Sequence, residues 1–358
     1  MTPAESASAP AAHDAAPSAA GFGASPFADA YGEQARFAAA DTDAGRLADG
    51  FAAPLTDLGI LEVTGPDAVA FLHGQLTNDV ANLPPEQARW YGYCTPKGRM
   101  LATFLGWREG DGVRLTVPRP QSQALARRLS MFVLRAKAKV ADRGAGLVLF
   151  GIGGTRAPQA LAALGFDAPG ELTLARAGDA TLAGLPSASI AGVPSRRWLL
   201  CVPAAAAAST WACLAESLAP ASSTAWRWTE VLAGIPRIAA GASEQFVPQM
   251  INFEAVGGVS FNKGCYPGQE IVARSQYLGK LKRRMYAGHL DGAEPAPGAD
   301  VSPAGGGEPC GQVVMAAPAP GGGTDLLFES RIDAVAAGGL TVGGDSLTLA
   351  ALPYALPA

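Results

Sequence analysis

The stretch that most constrains this chain is residues 262–274, which read Asn-Lys-Gly-Cys-Tyr-Pro-Gly-Gln-Glu-Ile-Val-Ala-Arg. Its two glycines allow backbone conformations and close approaches that a Cβ would prevent, and Pro267 holds its own φ. Good helix formers follow from Gln269 onward, so the pattern predicts a shaped turn that leads into a short helix. Cys265 would then lie just before a helix N-terminus.

This position of Cys265 favours a reactive thiol. A free thiol is mostly protonated at neutral pH, and a helix N-terminus or a nearby cation such as Lys263 favours the thiolate. A thiolate can act as a nucleophile or as a ligand for a soft metal. Free cysteines also pack as small buried hydrophobes. From the residues alone, both a catalytic and a structural role for Cys265 stay open.

Composition limits the remaining possibilities. A chain of 358 residues with 49% hydrophobic content exceeds what one core usually organises, so we expect two or three domains. The formal net charge of −4 argues against a general polyanion binder. The five cysteines form no CxxC pair and have no clustered histidines, so we predict no metal site.

The N-terminal composition, the hydropathy and the cysteine content predict where in the cell the protein works. Residues 1–50 are rich in Ala, Ser, Pro and Gly and predict a mostly disordered tail. No apolar stretch approaches the roughly 20 residues of a membrane helix, so we expect no membrane segment. Sparse cysteines and the absence of an export signal favour the cytoplasm.

The first third of the chain predicts a strand, a helix, a β-hairpin or meander with a further strand at 113–117, a second helix and a last strand. His73 would lie on the first helix, and with no second ligand in view we predict a surface or capping role for it. The strand predicted at 133–140 would carry Arg135, Lys137 and Lys139 on one face. That face is either a solvated surface or a seat for anionic groups.

Two further regions have clear patterns. Residues 141–224 predict a second α+β unit, and short alternating segments between Gly/Pro-rich turns in residues 280–358 predict a small β-barrel.

Trp226 and Trp228 stand before a predicted helix. Indole side chains usually pack in cores, and stacking on a flat ring system is the alternative for Trp226.

Residues 263–270, Lys-Gly-Cys-Tyr-Pro-Gly-Gln-Glu, resemble the signature of the YgfZ family, folate-binding proteins related to the aminomethyltransferase (T-protein) of glycine cleavage. Residues 246–261, which lead into this signature, also resemble that family. Similar blocks are present at residues 65–79 and 131–137. The resemblance therefore extends well beyond the loop.

The resemblance implies the α+β fold class, in a T-protein-like arrangement of two interleaved α+β domains around a folate pocket with a C-terminal small β-barrel. It also implies a monomer. After the tail of residues 1–50, the expected domains are a discontinuous folate-binding domain (51–140 and 225–279), a second α+β domain (141–224) and the barrel (280–358).

The same resemblance implies a tetrahydrofolate cofactor and a set of site residues. Trp226 would border the folate pocket, and Leu58 stands where the family has a second Trp. Leu232 stands where T-proteins have a glutamate that reads the pterin edge, so we expect weakened or reoriented folate binding. The expected catalytic residues are Cys265 and Lys263, and the expected folate-binding residues are Trp226, Leu58, Tyr266, Gln269 and Glu270.

One departure from T-proteins bears on activity. Leu101 and Ala102 replace their aspartate pair, so the acid–base and charge-stabilising work of aminomethyl transfer has no obvious carrier. The resemblance instead implies a folate-binding accessory protein that supports assembly or repair of iron–sulfur enzymes, including one of tRNA methylthiolation. Its partners would be reduced folate and iron–sulfur enzymes or assembly factors, with tRNA involved only indirectly. The alternatives are a folate-dependent one-carbon transferase and an RNA-binding module.

Overall fold

A computed structural model of the chain describes residues 41–277 and 281–356. The strands, in chain order, are β1 (Phe51–Pro54), β2 (Leu58–Thr64), β3 (Ala88–Cys94), β4 (Met100–Glu109), β5 (Gly112–Pro118), β6 (Lys139–Asp142), β7 (Leu147–Gly153), β8 (Leu174–Ala177), β9 (Ala180–Ile190), β10 (Val193–Pro203), β11 (Ala219–Pro220), β12 (Arg283–Leu290), β13 (Asp300–Pro303), β14 (Gly311–Pro318), β15 (Thr324–Arg331), β16 (Leu340–Val342) and β17 (Asp345–Ala350). The α-helices are α1 (Ala44–Asp49), α2 (Ala68–His73), α3 (Arg119–Met131), α4 (Ala157–Ala163), α5 (Ala207–Ala215), α6 (Ser223–Leu232), α7 (Gln269–Tyr277) and α8 (Ile332–Ala337).

The first sheet contains five antiparallel strands in the order β3-β4-β5-β2-β6. Helices α2 and α3 cover one of its faces. Leu72 of α2 and Leu129 of α3 are buried against Leu115 and Val117 of β5 in one core cluster. The apolar stripe of each helix therefore finds its partner in the alternating inward residues of the strands.

The second sheet has six strands in the order β11-β1-β7-β10-β9-β8. Helices α4 and α5 pack on one face, where Leu161 and Leu214 contact a cluster that contains Phe150 of β7 and Trp198 of β10. The α+β character predicted for residues 141–224 is thus present, with β1 added to this sheet from earlier in the chain.

Helix α6 lies where the two sheets and the C-terminal region meet. Its N-cap is Ser222, whose side-chain oxygen accepts hydrogen bonds from the backbone N–H groups of Thr224 and Ala225. A single core cluster joins Trp226 of this helix to side chains of both sheets and of β14 and β15. The core that receives the Trp226 side chain of α6 is therefore shared by the two sheets and the C-terminal region.

The C-terminal region is a closed barrel with the strand order β12-β15-β14-β13-β16-β17. All its strand pairs are antiparallel. The barrel expected from the alternating segments is confirmed, as is the α+β fold class. Within residues 41–277 and 281–356, no helix has the length and apolar character needed to cross a membrane.

The disordered tail predicted for residues 1–50 is wrong at its C-terminal end, and its first 40 residues lie outside the described residues. Helix α1 begins after Asp43, whose carboxylate accepts a hydrogen bond from the Arg46 backbone N–H. Leu47 is fully buried in the shared core, and Asp41 accepts a hydrogen bond from the Ser222 backbone N–H. This segment is ordered because it is buried against a distant part of the chain, although its own composition does not favour an ordered structure.

Strand β1 also corrects one boundary. We placed residues 51–54 in the first domain, but they pair with β7 and β11 in the six-stranded sheet. The four residues are all buried and therefore show no alternation that could have assigned them to a sheet. The rest of the domain division stays a prediction.

The strand predicted at 133–140 is wrong over most of its length. Residues 132–138 form turns, and β6 begins only at Lys139. Asp67 accepts a hydrogen bond from the Lys137 backbone N–H, and Leu134 has φ of 46°. The cations of this segment are exposed but do not share one strand face.

Candidate functional site

The loop that carries Cys265 is pressed against the turn between β3 and β4. Gly268 has φ of 82°, a conformation that favours glycine. A Cβ on Gly268 would lie 2.5 Å from the Thr95 carbonyl oxygen and 2.6 Å from the Gly98 Cα. Helix α7 starts at the next residue, Gln269, as the sequence predicts. The glycine is thus required both for its conformation and for a close backbone approach.

Lys263 holds the loop from its other side. Its Nζ donates hydrogen bonds to the carbonyl oxygens of His73 and Leu76, the latter at 2.8 Å, and lies 4.8 Å from the centroid of the Tyr266 ring. These carbonyls are at and just beyond the C-terminal end of α2, where a cation is favoured. Burial lowers the pKa of Lys263 to about 8, against the opposing attraction of Asp79 and Cys265. The lysine therefore anchors the loop while its charge acts on the thiol.

The lowered pKa of Lys263 predicts a pH dependence of stability. An unfolded chain keeps this proton up to about pH 10.5 and the folded chain only to about pH 8, so the unfolded state binds more protons in this window. The contribution of Lys263 to the free energy of unfolding therefore rises as the pH increases from about 8 to 10.5.

We expect the Lys263→Met variant to lack this rise. Urea unfolding at several pH values between about 8 and 10 would measure it, because the free-energy difference between wild type and variant should change across the window. Lys97→Met, which replaces an exposed lysine of the β3–β4 turn, is the control. Parallel pH profiles for wild type and Lys263→Met would contradict the prediction.

Cys265 is the exposed thiol among the five cysteines, all of which the structure describes. Cys94, Cys201 and Cys310 are buried, and Cys213 is half-buried. Burial raises the pKa of Cys94 and of Cys201 to about 12, so both stay protonated at neutral pH. Access from solvent thus separates Cys265 from the others, as a reactive role requires.

The remaining predicted residues of the loop support its shape. Tyr266 is buried beneath the Lys263 ammonium group, and burial raises the pKa of its phenol. The Gln269 side-chain amide donates to the Lys263 carbonyl oxygen at 3.5 Å. Glu270 is exposed in the first turn of α7, where a negative charge is favoured. A role of Tyr266, Gln269 and Glu270 in folate binding stays a prediction.

Trp226 and Leu58 belong to a different place, a narrow cavity between the two sheets. Its volume is about 30 Å³. No residue of 262–274 lines this cavity. The structure therefore does not bring the two groups of predicted residues together. The lining side chains include those of Leu58, Trp90, Thr103, Trp226, Glu230 and Arg237.

The Trp226 ring is tightly held. A Cβ on Gly151 would lie 2.3 Å from the ring, and the Arg197 guanidinium lies 5.3 Å from the ring centroid. Within the described residues, the indole N–H groups of Trp226 and Trp90 are buried and have no hydrogen-bond partner. Buried donors usually find one. Both tryptophans line the cavity, so two unpartnered donors belong to its wall residues.

A carboxylate that sequence reasoning missed also lines this cavity. We placed the glutamate position of T-proteins at Leu232, but Glu230 lines the cavity and Leu232 does not. Trp226 and Glu230 are four residues apart on α6, so helical spacing could have put both on one face. The cavity therefore has a carboxylate acceptor at Glu230, whereas weakened or reoriented folate binding stays a prediction.

Glu230 is part of a buried ion cluster. The Arg237 guanidinium lies 2.7 Å from the Asp57 carboxylate and 2.8 Å from the Glu230 carboxylate. Burial raises the pKa of Glu230, and the positive charges of Arg237 and Arg197 oppose that rise. Burial lowers the pKa of Arg197 to about 10, which leaves it charged at neutral pH.

Strand β4 contributes no carboxylate to the cavity. Leu101 and Ala102 are buried and do not line it, whereas Thr103 does. The Thr103 hydroxyl donates to the Pro236 carbonyl oxygen at 3.2 Å and accepts from the Ile238 N–H at 3.1 Å. This hydroxyl is therefore engaged by the protein itself.

A wider cavity of about 340 Å³ adjoins the narrow one and shares Pro118 and Arg237 with it. Its lining also includes Asp57, Arg227 and Glu294. Arg237 thus lines both cavities, and its partner Asp57 lines the wider one. Within the part of the chain that the structure describes, no three His, Cys, Asp or Glu side chains are grouped so that they could hold a metal ion.

Comparisons with known proteins agree with this fold. No family model matches the sequence. The chain is 36% identical over 241 residues to the tRNA-modifying protein YgfZ of Vibrio vulnificus (strain YJ016), an alignment covering 67% of this chain and 69% of that protein. It is 32% identical over 249 residues to the protein of the same name from Cronobacter sakazakii, covering 69% and 74%.

Among solved structures, the glycine cleavage system aminomethyltransferase T from Bartonella henselae superposes with a TM-score of 0.65. The match covers 86% of each chain at 17% sequence identity, so it shows a shared fold. The barrel and the two packed sheets are thus those of a T-protein-like molecule. With relatives above 30% identity along two thirds of its length, the chain belongs to the YgfZ family.

Proposed function

We propose that this protein binds a reduced folate, with tetrahydrofolate as its cofactor, in the narrow cavity between the two sheets. The observation that carries the proposal is the pairing of Trp226 with Glu230 on one face of α6. An indole provides a flat surface for a heterocyclic ring, and a carboxylate accepts hydrogen bonds from ring N–H and amino groups. The unpartnered indole N–H groups add donors for a ring that also carries acceptors.

Binding at this place requires the cavity to widen. Space of about 30 Å³ admits little more than one water. The adjoining cavity is more than ten times larger, and the Arg237 side chain lines both. A shift of this side chain away from Glu230 would join them and would free the carboxylate for a ligand. When bound, a reduced folate would supply one-carbon chemistry.

We further propose that the folate-bound protein supports assembly or repair of iron–sulfur enzymes, including one of tRNA methylthiolation, through Cys265. Relatives named tRNA-modifying protein YgfZ support the link to tRNA modification. The exposure of Cys265 supports a reaction with another macromolecule. We propose a cytoplasmic monomer that meets tRNA only through the enzymes it supports.

Replacing Trp226 tests the folate site. We expect tetrahydrofolate to quench the indole fluorescence of the wild type, and the Trp226→Ala variant to bind it at least about tenfold more weakly, since ring contacts and burial contribute over 1 kcal/mol. Calorimetry with tetrahydrofolate would give both dissociation constants. Trp211→Ala, on α5 at the far side of the six-stranded sheet, is the control. The site is refuted if the wild type gives neither heat nor quenching, or if Trp226→Ala binds as tightly as the wild type.

Aminomethyl transfer is not supported by this cavity. The strand that carries Leu101, Ala102 and Thr103 offers a hydroxyl already bonded to the protein and no carboxylate for acid–base work. We expect no glycine-dependent formation of methylene-tetrahydrofolate. Activity in that assay would favour the transferase alternative instead.

A further inference from the structure

A histidine and an aspartate lie beside the loop that carries Cys265. The Nδ1 atom of His73 is 3.2 Å from Oδ1 of Asp79. The other ring nitrogen, Nε2, lies 3.6 Å from the position that a Cβ on Gly264 would take. The imidazole is thus held between a carboxylate and the backbone directly before Cys265. The backbone N–H of Ala81, which lies in a turn, is a second neighbour of Nδ1, at 3.2 Å.

We propose that His73, oriented by Asp79, is the proton acceptor for the Cys265 thiol, so that the loop forms a cysteine–histidine–aspartate site. In this step the S–H bond of Cys265 breaks and its proton moves to Nε2 of His73, which gives a thiolate and an imidazolium. The Asp79 carboxylate accepts the hydrogen bond from Nδ1–H and stabilises the new positive charge. This inference deepens the proposed role of Cys265 and rests on it.

The charges around His73 act in two directions. Asp79 favours the imidazolium, and hydrogen bonds from Asn82 with the charges of His73 and Arg89 lower the pKa of Asp79 although burial alone would raise it. Asp79 therefore stays ionised at neutral pH. Lys263, bonded to the carbonyl oxygen of His73, disfavours a second cation nearby. The Asp79 carboxylate is in direct contact with the ring at Nδ1 and would stabilise the imidazolium that the proton transfer forms.

Two tautomers of His73 compete. The Ala81 N–H requires a lone pair on Nδ1, whereas contact with the Asp79 carboxylate requires Nδ1–H. The contact with the carboxylate is charge-assisted and therefore the stronger. It leaves the lone pair on Nε2, which faces the loop.

Lys263 is less suited to accept the thiol proton. Its Nζ donates to two carbonyl oxygens, and it is mostly protonated at pH 7 because its pKa is about 8. The protonated ammonium group can favour a thiolate through its charge, but it cannot accept a further proton. The acceptor beside the loop is therefore the imidazole.

The pH profile of Cys265 alkylation tests the inference. Iodoacetamide would be reacted with the full chain from about pH 5 to pH 9, and the Cys265 peptide quantified by mass spectrometry. We expect the pH of half-maximal alkylation rate to be about one unit lower in the wild type than in His73→Gln. At pH 7 the wild-type rate should be about five- to tenfold higher than that of the variant. Asp79→Asn should shift the profile in the same direction.

His289→Gln is the matched control. His289 also has a carboxylate at Nδ1, that of Asp325 at 2.7 Å, but it lies on the barrel strand β12. Its replacement should leave the profile of Cys265 unchanged. Coincident profiles of wild type and folded His73→Gln would overturn the inference and leave His73 as a cap of the Ala81 N–H.

If His73→Gln fails to fold, the wild type and Lys263→Met decide. A wild-type midpoint near pH 8.5, the value of an unperturbed thiol, overturns the inference. A midpoint at least about one unit lower supports it if Lys263→Met retains that midpoint, and overturns it if the shift disappears with the lysine. These rates involve no folate and no partner enzyme. A failure of the proposed function would therefore appear in calorimetry or complementation and not here.

Discussion

The Cys265→Ala variant should fold like the wild type and yet fail to restore iron–sulfur enzyme activity in cells that lack this protein. The side chain is exposed, so its truncation leaves little cavity and should cost well under about 1 kcal/mol of stability. The other four thiols are buried or half-buried and cannot replace it. We therefore expect activity to fall to the level of cells without the gene, with an unchanged unfolding midpoint.

The measurement is the activity of an iron–sulfur enzyme, such as tRNA methylthiolation, in the complemented strain. Cys213→Ala is the matched control, because it removes a half-buried thiol on α5 and should restore activity fully. Equal complementation by Cys265→Ala and wild type would show that the thiol serves no reaction. The loop would then be a structural brace.

The Arg237→Met variant should lose about 3–5 kcal/mol of unfolding free energy. Arg237 lies between the carboxylates of Asp57 and Glu230, and its removal leaves the buried Glu230 carboxylate without a positive partner, next to the partly exposed Asp57 carboxylate. Urea unfolding at pH 7 would measure the loss. The loss should shrink as the pH falls towards 5, because burial already raises the pKa of Glu230 and protonation removes the uncompensated charge.

Arg227→Met provides the control on the same side of the molecule. Arg227 pairs with Glu294 at 2.8 Å, but both side chains are about a third exposed, so the pair contributes at most about 1 kcal/mol. Similar losses for the two variants would contradict the argument that burial makes the Arg237 cluster costly to break. A loss for Arg237→Met that is independent of pH would point to packing by the arginine stem instead.

Some features of this protein follow from local sequence. The shape of the Cys265 loop depends on Gly268 and the start of α7 on the helix formers after it, and both are where the pattern predicts them. The barrel follows from short alternating segments between turns. The family signature in residues 263–270 led to the correct fold because relatives with that signature share the fold. Such features depend on φ, ψ and the periodicity of side chains, which neighbouring residues determine.

Other features depend on which distant segments meet. Lys263 donates a hydrogen bond to the carbonyl oxygen of His73, 190 residues earlier, so this histidine lies beside the loop that carries the thiol. The charge of Glu230 is balanced by Arg237, which also pairs with Asp57. Residues 41–54 are ordered by burial in a core built from later strands. Sequence period specifies the face of each element, but only packing decides which faces meet, since burial and charge pairing are energies of the assembled tertiary structure.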